Sequence, residues 1–321
     1  MSANAPGLSL DETTALTRRI TRLSVSIALV LSLVKVVAWW FSGSVAMLAS
    51  LADSGLDVLA ALAAYFAVRY AAEPPDLEHR FGHGKAEAFA SLVQAGLVFA
   101  SAALVGREAV DHILHPQPIA YQGWGLAVMA LSIVLTAVLI WAQTAVLRRA
   151  SSVAVAGDRL HYLADLASNV IAFAAIGASA LLANPLPDAV GGLIVAALLV
   201  WGAISVFHAS TLELMDHELD NESRQRIVAL VTADSRVREV HQLRTRASGP
   251  YIHVQMHAEL DPGMTLVEAH KVMVAAENRV LEAFPTADII IHPDPRGQAE
   301  PHGGAFAENH QPEALETARS A

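Results

Sequence analysis

The sequence predicts a bundle of six transmembrane helices followed by a small α+β domain of αββαβ order. First, 54% of its 321 residues are hydrophobic and only 16% charged, with a mean hydropathy of +0.42, whereas an ordinary soluble chain carries about 25% charge. Second, six long apolar stretches fill residues 1–210. Third, those residues hold 13 acidic and 11 basic side chains, a net of −2, while 211–321 hold 18 and 10, a net of −8. An apolar part therefore precedes a polar one.

The apolar stretches cover 20–41, 44–70, 86–114, 122–147, 152–183 and 187–210. Each has at least 22 residues, and at about 1.5 Å per residue even the shortest spans about 33 Å, enough for a hydrocarbon core of about 30 Å. The first follows a polar start with Arg18, Arg19 and Arg22 and lacks a small-residue cleavage site, so it reads as a retained span, not a signal peptide. Arg69, Arg80 and Lys85 flank the second connection, and Arg148, Arg149 and Arg159 the fourth, whereas connections near 42–44, 115–121 and 184–187 contain no Lys or Arg. By the positive-inside rule both chain ends are cytoplasmic, as an even number of spans requires.

From about residue 211 the pattern changes. Residues 222–233 have helical periodicity, 237–246 and 251–260 read as strands, 265–284 form an amphipathic helix and 287–292 a short apolar strand. In the second strand Ile252, Val254, Met256, Ala258 and Leu260 share one face, and Tyr251, His253, Gln255, His257 and Glu259 the other. The expected division is an N-terminal cytoplasmic segment 1–18, a transmembrane domain 19–210, a cytoplasmic metal-binding domain 211–295 and a disordered tail 296–321 without sustained apolar period.

Composition excludes several functions. A formal net charge of −10 opposes nucleic acid as a partner, because a phosphate-binding surface needs a basic excess. With no cysteine and fourteen histidines, imidazole and carboxylate are the available metal ligands, and disulfides and thiolate chemistry are excluded. No nucleophile motif or nucleotide loop points to an enzyme.

The second apolar stretch places Asp53 and Asp57 four residues apart on one helical face, and the fifth does the same with His161 and Asp165. Each charged Asp near the bilayer centre costs about 2.5–3.5 kcal/mol on insertion scales, so such a pair is kept only where something offsets it. Counted from the stretch ends, both pairs reach the middle of the membrane. Three carboxylates and one neutral imidazole suit a tetrahedral divalent transition-metal ion. With the carboxylates ionised, the filled site keeps one negative charge, and protons competing for the ligands would weaken it. The alternative is that the acids pair with Lys35 or serve a proton relay without metal. Arg107, Glu108, Asp111 and His112 read as interfacial charges at the outer end of the third stretch.

The second connection, PPDLEHRFGHGKAEA, carries Asp76, His79 and His83 at spacings of three and four. Such spacing can surround one ion, although Gly82 and Gly84 disfavour a regular helix. A solvated loop with incidental histidines fits the spacing equally well.

Together, Asp53-x-x-x-Asp57, His161-x-x-x-Asp165, the loop HRFGHGKAEA and the closing IIIHPDP resemble the cation diffusion facilitator family, in its bacterial zinc and ferrous-iron efflux branch, over residues 15–295. The resemblance implies six transmembrane helices, a metallochaperone-like cytoplasmic domain, a homodimer in a bacterial inner membrane, and export of a divalent metal ion in exchange for protons. It implies a transport site of Asp53, Asp57, His161 and Asp165, and a loop site of Asp76, His79 and His83. His241, His257, His292 and Asp294 match a two-metal cytoplasmic site, His270 a ligand at the subunit boundary, and Lys85 with Asp216 a salt bridge near the dimer axis. Two features depart from the pattern: Pro293 stands between two ligands, and His253 is an additional imidazole. The histidine among the transport ligands favours zinc or cadmium over manganese, with ferrous iron, cobalt and nickel left open. The rival readings are a membrane-embedded metal sensor or storage protein and a proton-coupled exporter of organic cations.

Overall fold

The computed structural model describes residues 8–42, 45–115, 123–182 and 186–298, with some side chains inside those ranges, those of Asp53 and His112 among them, outside the description. The expected disordered tail is thus outside it from residue 299 onward. The chain divides into two compact units, one built on Leu8–Met215 with Ser248–Pro250, the other on the residues from Asp216 onward.

The first unit holds six long helices: α1 (Leu10–Ser42), α2 (Val45–Ala71), α3 (Ala86–Leu114), α4 (Gly123–Leu147), α5 (Val153–Leu182) and α6 (Leu186–Leu214). All six predicted stretches are helical. The shortest, α4, has 25 residues, about 37 Å at 1.5 Å per residue, so each can cross the hydrocarbon core. Among the described residues α1, α3, α4 and α6 each also contain a stretch of at least 18 residues apolar enough to count as a span on hydropathy alone. The other two, α2 and α5, carry the intramembrane acids.

The start of α1 lies about ten residues earlier than the apolar pattern predicts. Ser9 and Glu12 form a capping box there: Glu12 N–H donates to Ser9 Oγ at 3.2 Å and Ser9 N–H to Glu12 Oε2 at 2.9 Å. The polar turns from Leu10 onward thus extend the span without a break.

Small side chains line the contacts between helices. Ala60, Ala61, Ala64 and Ala71 on α2 and Ala88, Ala95 and Ala102 on α3 are buried. A Cβ placed on Gly192 of α6 would lie 2.9 Å from Ala109 Cβ of α3, so these two helices meet as closely as a missing side chain allows. Large apolar side chains point outward instead: Trp40, Trp141 and Trp201 are 76%, 74% and 74% exposed. That inversion suits a surface solvated by lipid, where small residues drive helix packing and large ones face acyl chains.

The second unit contains α7 (Asn221–Val231), β1 (Val240–Ser248), β2 (Tyr251–Leu260), α8 (Leu266–Ala283) and β3 (Ala287–Pro295), the expected αββαβ order. Asp220 caps α7 by accepting from Ser223 N–H at 2.9 Å, and Thr265 with Glu268 forms a capping box at α8. The sheet order is β1-β2-β3. A two-residue connection joins β1 to β2, which only antiparallel strands accommodate. The parallel β2–β3 pair needs a crossover, and α8 supplies it.

The β2 face predicted to be apolar is buried, with Ile252, Val254, Met256, Ala258 and Leu260 packed against Ile227 and Val231 of α7 and Val272, Ala276 and Val280 of α8. The first strand differs from expectation. It starts at Val240 and not at residue 237, because Val237 N–H bonds back to Asp234 O in a turn. Its core-side residues then step from Val240 to Leu243, Thr245 and Ala247. The three-residue step marks one inserted residue, and Gln242 there has φ 49°.

Candidate metal sites in the membrane and the cytoplasmic unit

Three groups of His and Asp side chains, each able to bring three ligand atoms within 4.8 Å of one another, occur among the described residues. The first joins α2 to α5. Asp57 is the thirteenth residue of α2's 27, and His161 and Asp165 are the ninth and thirteenth of α5's 30, so both contributions lie well inside the helices. His161 Nε2 lies 3.0 Å from Asp57 Oδ1 and 3.7 Å from Asp165 Oδ2. The side chains of Asp57, His161 and Asp165 are 15%, 9% and 28% exposed, so the site is shielded but open to an ion. Asp53 sits one turn before Asp57 on α2; its side chain lies outside the described residues. Nearby, Lys35 Nζ donates to Ser54 Oγ.

The second group lies in the α2–α3 loop. Asp76 Oδ1 accepts from the backbone N–H groups of Glu78 at 2.8 Å and His79 at 2.6 Å. The His79 N–H is the foremost reason its carboxyl stays below the usual range, with smaller help from Glu78 N–H and the neighbouring His83 and His79. Asp76 Oδ2 faces His83 Nε2 at 3.3 Å and Oδ1 faces His79 Nδ1 at 3.5 Å. Gly82, at φ 81°, turns the chain so that both imidazoles stand 4.6 Å apart, centre to centre.

The third group belongs to the sheet. Asp294 Oδ2 lies 3.0 Å from His241 Nε2 and 2.9 Å from His257 Nδ1, and Asp294 Oδ1 lies 3.3 Å from His292 Nε2. The register explains the convergence: His257 stands opposite His292, and Glu259 opposite Asp294. Residues 292 and 294 are two apart on one strand, so both face the same side and Pro293 faces the other. Pro293 breaks no interior ladder, because β3 is an edge strand. The inserted residue beside Gln242 brings His241 into the group. Burial is the main influence lowering the proton affinity of His257, with His292 and His241 acting the same way against the opposing Asp294 carboxylate. A neutral imidazole is what a metal needs.

The remaining predicted residues lie outside these three groups. His270 is on the exposed side of α8, beside buried Ala269. His253 pairs with Asp288 at 3.3 Å, apart from the Asp294 group. Lys85 Nζ donates to Leu214 O at 3.3 Å, and Asp216 pairs with Arg246 at 3.1 Å. Asp111 pairs with His115 at 3.1 Å near the end of α3.

Sequence reasoning passed over the buried acids Glu87, Glu213 and Asp158, of which Asp158, three residues before His161 in the run GDRLHYLAD, is wholly inaccessible. A carboxyl so close to a candidate ligand at membrane depth was a readable signal.

Comparison with known proteins connects this geometry to a family. Residues 21–215 match the cation efflux transmembrane domain, and 219–296 match the cation efflux protein cytoplasmic domain. The chain belongs to the cation efflux family, the cation diffusion facilitators. The cation-efflux pump FieF of Klebsiella pneumoniae is 37% identical over 270 residues, 84% of this chain and 90% of its own. FieF of Citrobacter koseri is 37% identical over 279 residues, 87% and 93% of the two chains. A solved structure of CzrB in its zinc form is 32% identical, covers 27% of this chain and 99% of its own, and gives a TM-score of 0.25. This cation efflux protein is thus a multi-pass membrane transporter and not an enzyme.

Proposed function

We propose that this cation efflux protein exports zinc from the cytoplasm in exchange for protons by alternating access, with Asp53, Asp57, His161 and Asp165 as the transport ligands. The observation carrying the reading is the approach of Asp57, His161 and Asp165 well inside two antiparallel spans. Mixed carboxylate and imidazole donors suit zinc or cadmium better than manganese, whose sites are richer in oxygen; iron, cobalt and nickel stay open as substrates, since imidazole serves iron and nickel as well.

The ligand chemistry also supplies the coupling. With metal bound, His161 gives a nitrogen lone pair to the ion; with metal gone, that edge hydrogen-bonds to Asp57 and faces Asp165 at 3.7 Å. Proton uptake by the ligands and metal release are therefore competing occupancies of one site. The net negative charge left on the filled site holds the ion until protons arrive.

In the same proposal Asp76, His79 and His83 form a cytoplasmic loop site. His241, His257, His292 and Asp294, with His270 at the subunit boundary, form the metal sites of a cytoplasmic domain that dimerises. Lys85 and Asp216 link the helices to that domain near the dimer axis. Metal bound there would favour one bundle state only if its affinity differs between states. Transport itself is assigned to 19–210, regulation to 211–295 and no role to 296–321; 1–18 and the C-terminus face the cytoplasm of a bacterial inner membrane.

Purified protein in sealed vesicles with a trapped zinc-sensitive dye tests the proposal. Zinc flux is expected to rise with an opposing proton gradient and to vanish in Asp57→Ala. Equal flux in that variant overturns the ligand assignment, and zinc binding without flux in the parent favours a sensor.

A further inference from the structure

Beside the transport ligands lies a second polar cluster that binds no ion in the reading above. Its members, Ser24 on α1, Gln143 on α4 and Asp158 and Tyr162 on α5, are all buried, none more than 1% exposed. Gln143 Nε2 donates to Ser24 Oγ at 3.1 Å and to Asp158 Oδ2 at 2.8 Å, which uses both amide hydrogens. Tyr162 Oη donates to Ser24 O at 3.2 Å. One residue further along each helix, Arg159 Nη1 donates to Thr144 Oγ1 of α4 at 3.3 Å.

Three residues of one short stretch of α5 thus reach across to α1 and α4, while His161 between them reaches to Asp57 on α2. The cluster is retained at a cost, since Asp158 Oδ1 and Gln143 Oε1 are buried without a hydrogen-bond donor among the described residues. Apolar side chains would pack this position without leaving acceptors unmet.

We propose that Asp158 is a positioning residue for the transport site: through Gln143, Ser24 and Tyr162 it fixes the rotation of α5 about its axis, and so the place of His161 and Asp165 relative to Asp57. The required precision explains the device. Side-chain tips stand about 5–6 Å from a helix axis, so a rotation of about 20° moves a ligand atom by about 2 Å, roughly ten times the ±0.2 Å that metal coordination tolerates. Apolar ridges and grooves accept such a rotation, because crossing angles in helix packing scatter by about 15–20°. A two-armed amide accepts far less, since both its hydrogens must stay within about 3.2 Å of their acceptors. The cluster also makes α1, α4 and α5 a single piece during the transport cycle.

The inference rests on the ligand assignment above, and the test separates the two. Initial zinc flux is measured against zinc concentration in vesicles holding the parent, Asp158→Leu, Asp158→Asn, Gln143→Leu or Asp57→Ala. Asparagine keeps an oxygen to accept from Gln143, and leucine removes it. Asp158→Leu and Gln143→Leu are expected to raise KM about tenfold or more with kcat changed less than threefold, and Asp158→Asn to return KM to within about threefold of the parent. Parental KM in both leucine variants, or a fall in kcat alone, overturns the positioning role. Should Asp158→Leu fail to fold, the KM of Gln143→Leu decides. Parental flux in Asp57→Ala overturns the ligand assignment itself; its loss, beside unchanged KM in the leucine variants, overturns the positioning role alone.

Discussion

His257 and Gln242 show how single residues prepare the cytoplasmic group for metal. Burial lowers the proton affinity of His257, so the folded protein binds fewer protons there than the unfolded chain. Its contribution to stability is therefore complete above about pH 6.5, the ordinary histidine value, and is lost as pH falls through the lower folded value. NMR of the metal-free protein should show the His257 ring titrating below about 6.5; a midpoint above that contradicts the account. Gln242 holds φ 49° next to His241, a left-handed conformation costing of order 1–3 kcal/mol for a side chain other than glycine. Gln242→Val should lower stability by about 1–2 kcal/mol and weaken zinc binding at the Asp294 group. Gln242→Gly should do neither, as thermal melting and zinc titration will read. Nothing in the sequence announced this residue, because no glycine marks the turn.

Among the elements, α5 is held from three sides. Its start is fixed by Ser152, whose hydroxyl accepts from Val155 N–H at 3.2 Å and donates to the buried Glu87 carboxylate of α3. Asp158 and Tyr162 then hold it to α1 and α4, and His161 meets α2. Removing the cap in Ser152→Ala should cost about 1 kcal/mol, read by thermal melting. In the cytoplasmic unit the turn before β1 depends on Asp234. The Arg236 guanidinium is the first cause of its carboxyl lying at about 2, well below the usual range. The folded value is depressed, so this stabilisation is present above about pH 4 and disappears as pH falls through about 2. Acid unfolding of Asp234→Asn should accordingly show a smaller loss of stability between those limits than the parent.

Across the whole molecule, legibility followed the length of the periodic signal. Six helices could be read because each apolar stretch exceeds the thickness of a hydrocarbon core, and β2 because five alternating residues mark one buried face. Asp57, His161 and Asp165 stood out because charge at membrane depth is costly, and their approach in space follows from helical spacing on neighbouring spans. Other features had no such signal. The polar beginning of α1 escaped an apolar criterion although Ser9 and Glu12 spelled its cap, and the shift of β1 to Val240 depended on a local turn. The contact of Gln143 with Asp158 joins residues fifteen positions apart on different helices, a pairing that periodicity does not encode.

The central claim is that one ion sits among Asp53, Asp57, His161 and Asp165 within the membrane, and X-ray absorption on zinc-loaded protein tests it most directly. The protein should carry Asp76→Ala, His241→Ala, His257→Ala and Asp294→Ala so that this site alone retains metal. The account predicts four nitrogen and oxygen neighbours at about 2.0–2.2 Å, with outer-shell scattering from one imidazole that disappears in His161→Ala. A six-oxygen shell without imidazole, or a spectrum unchanged by His161→Ala, would contradict it.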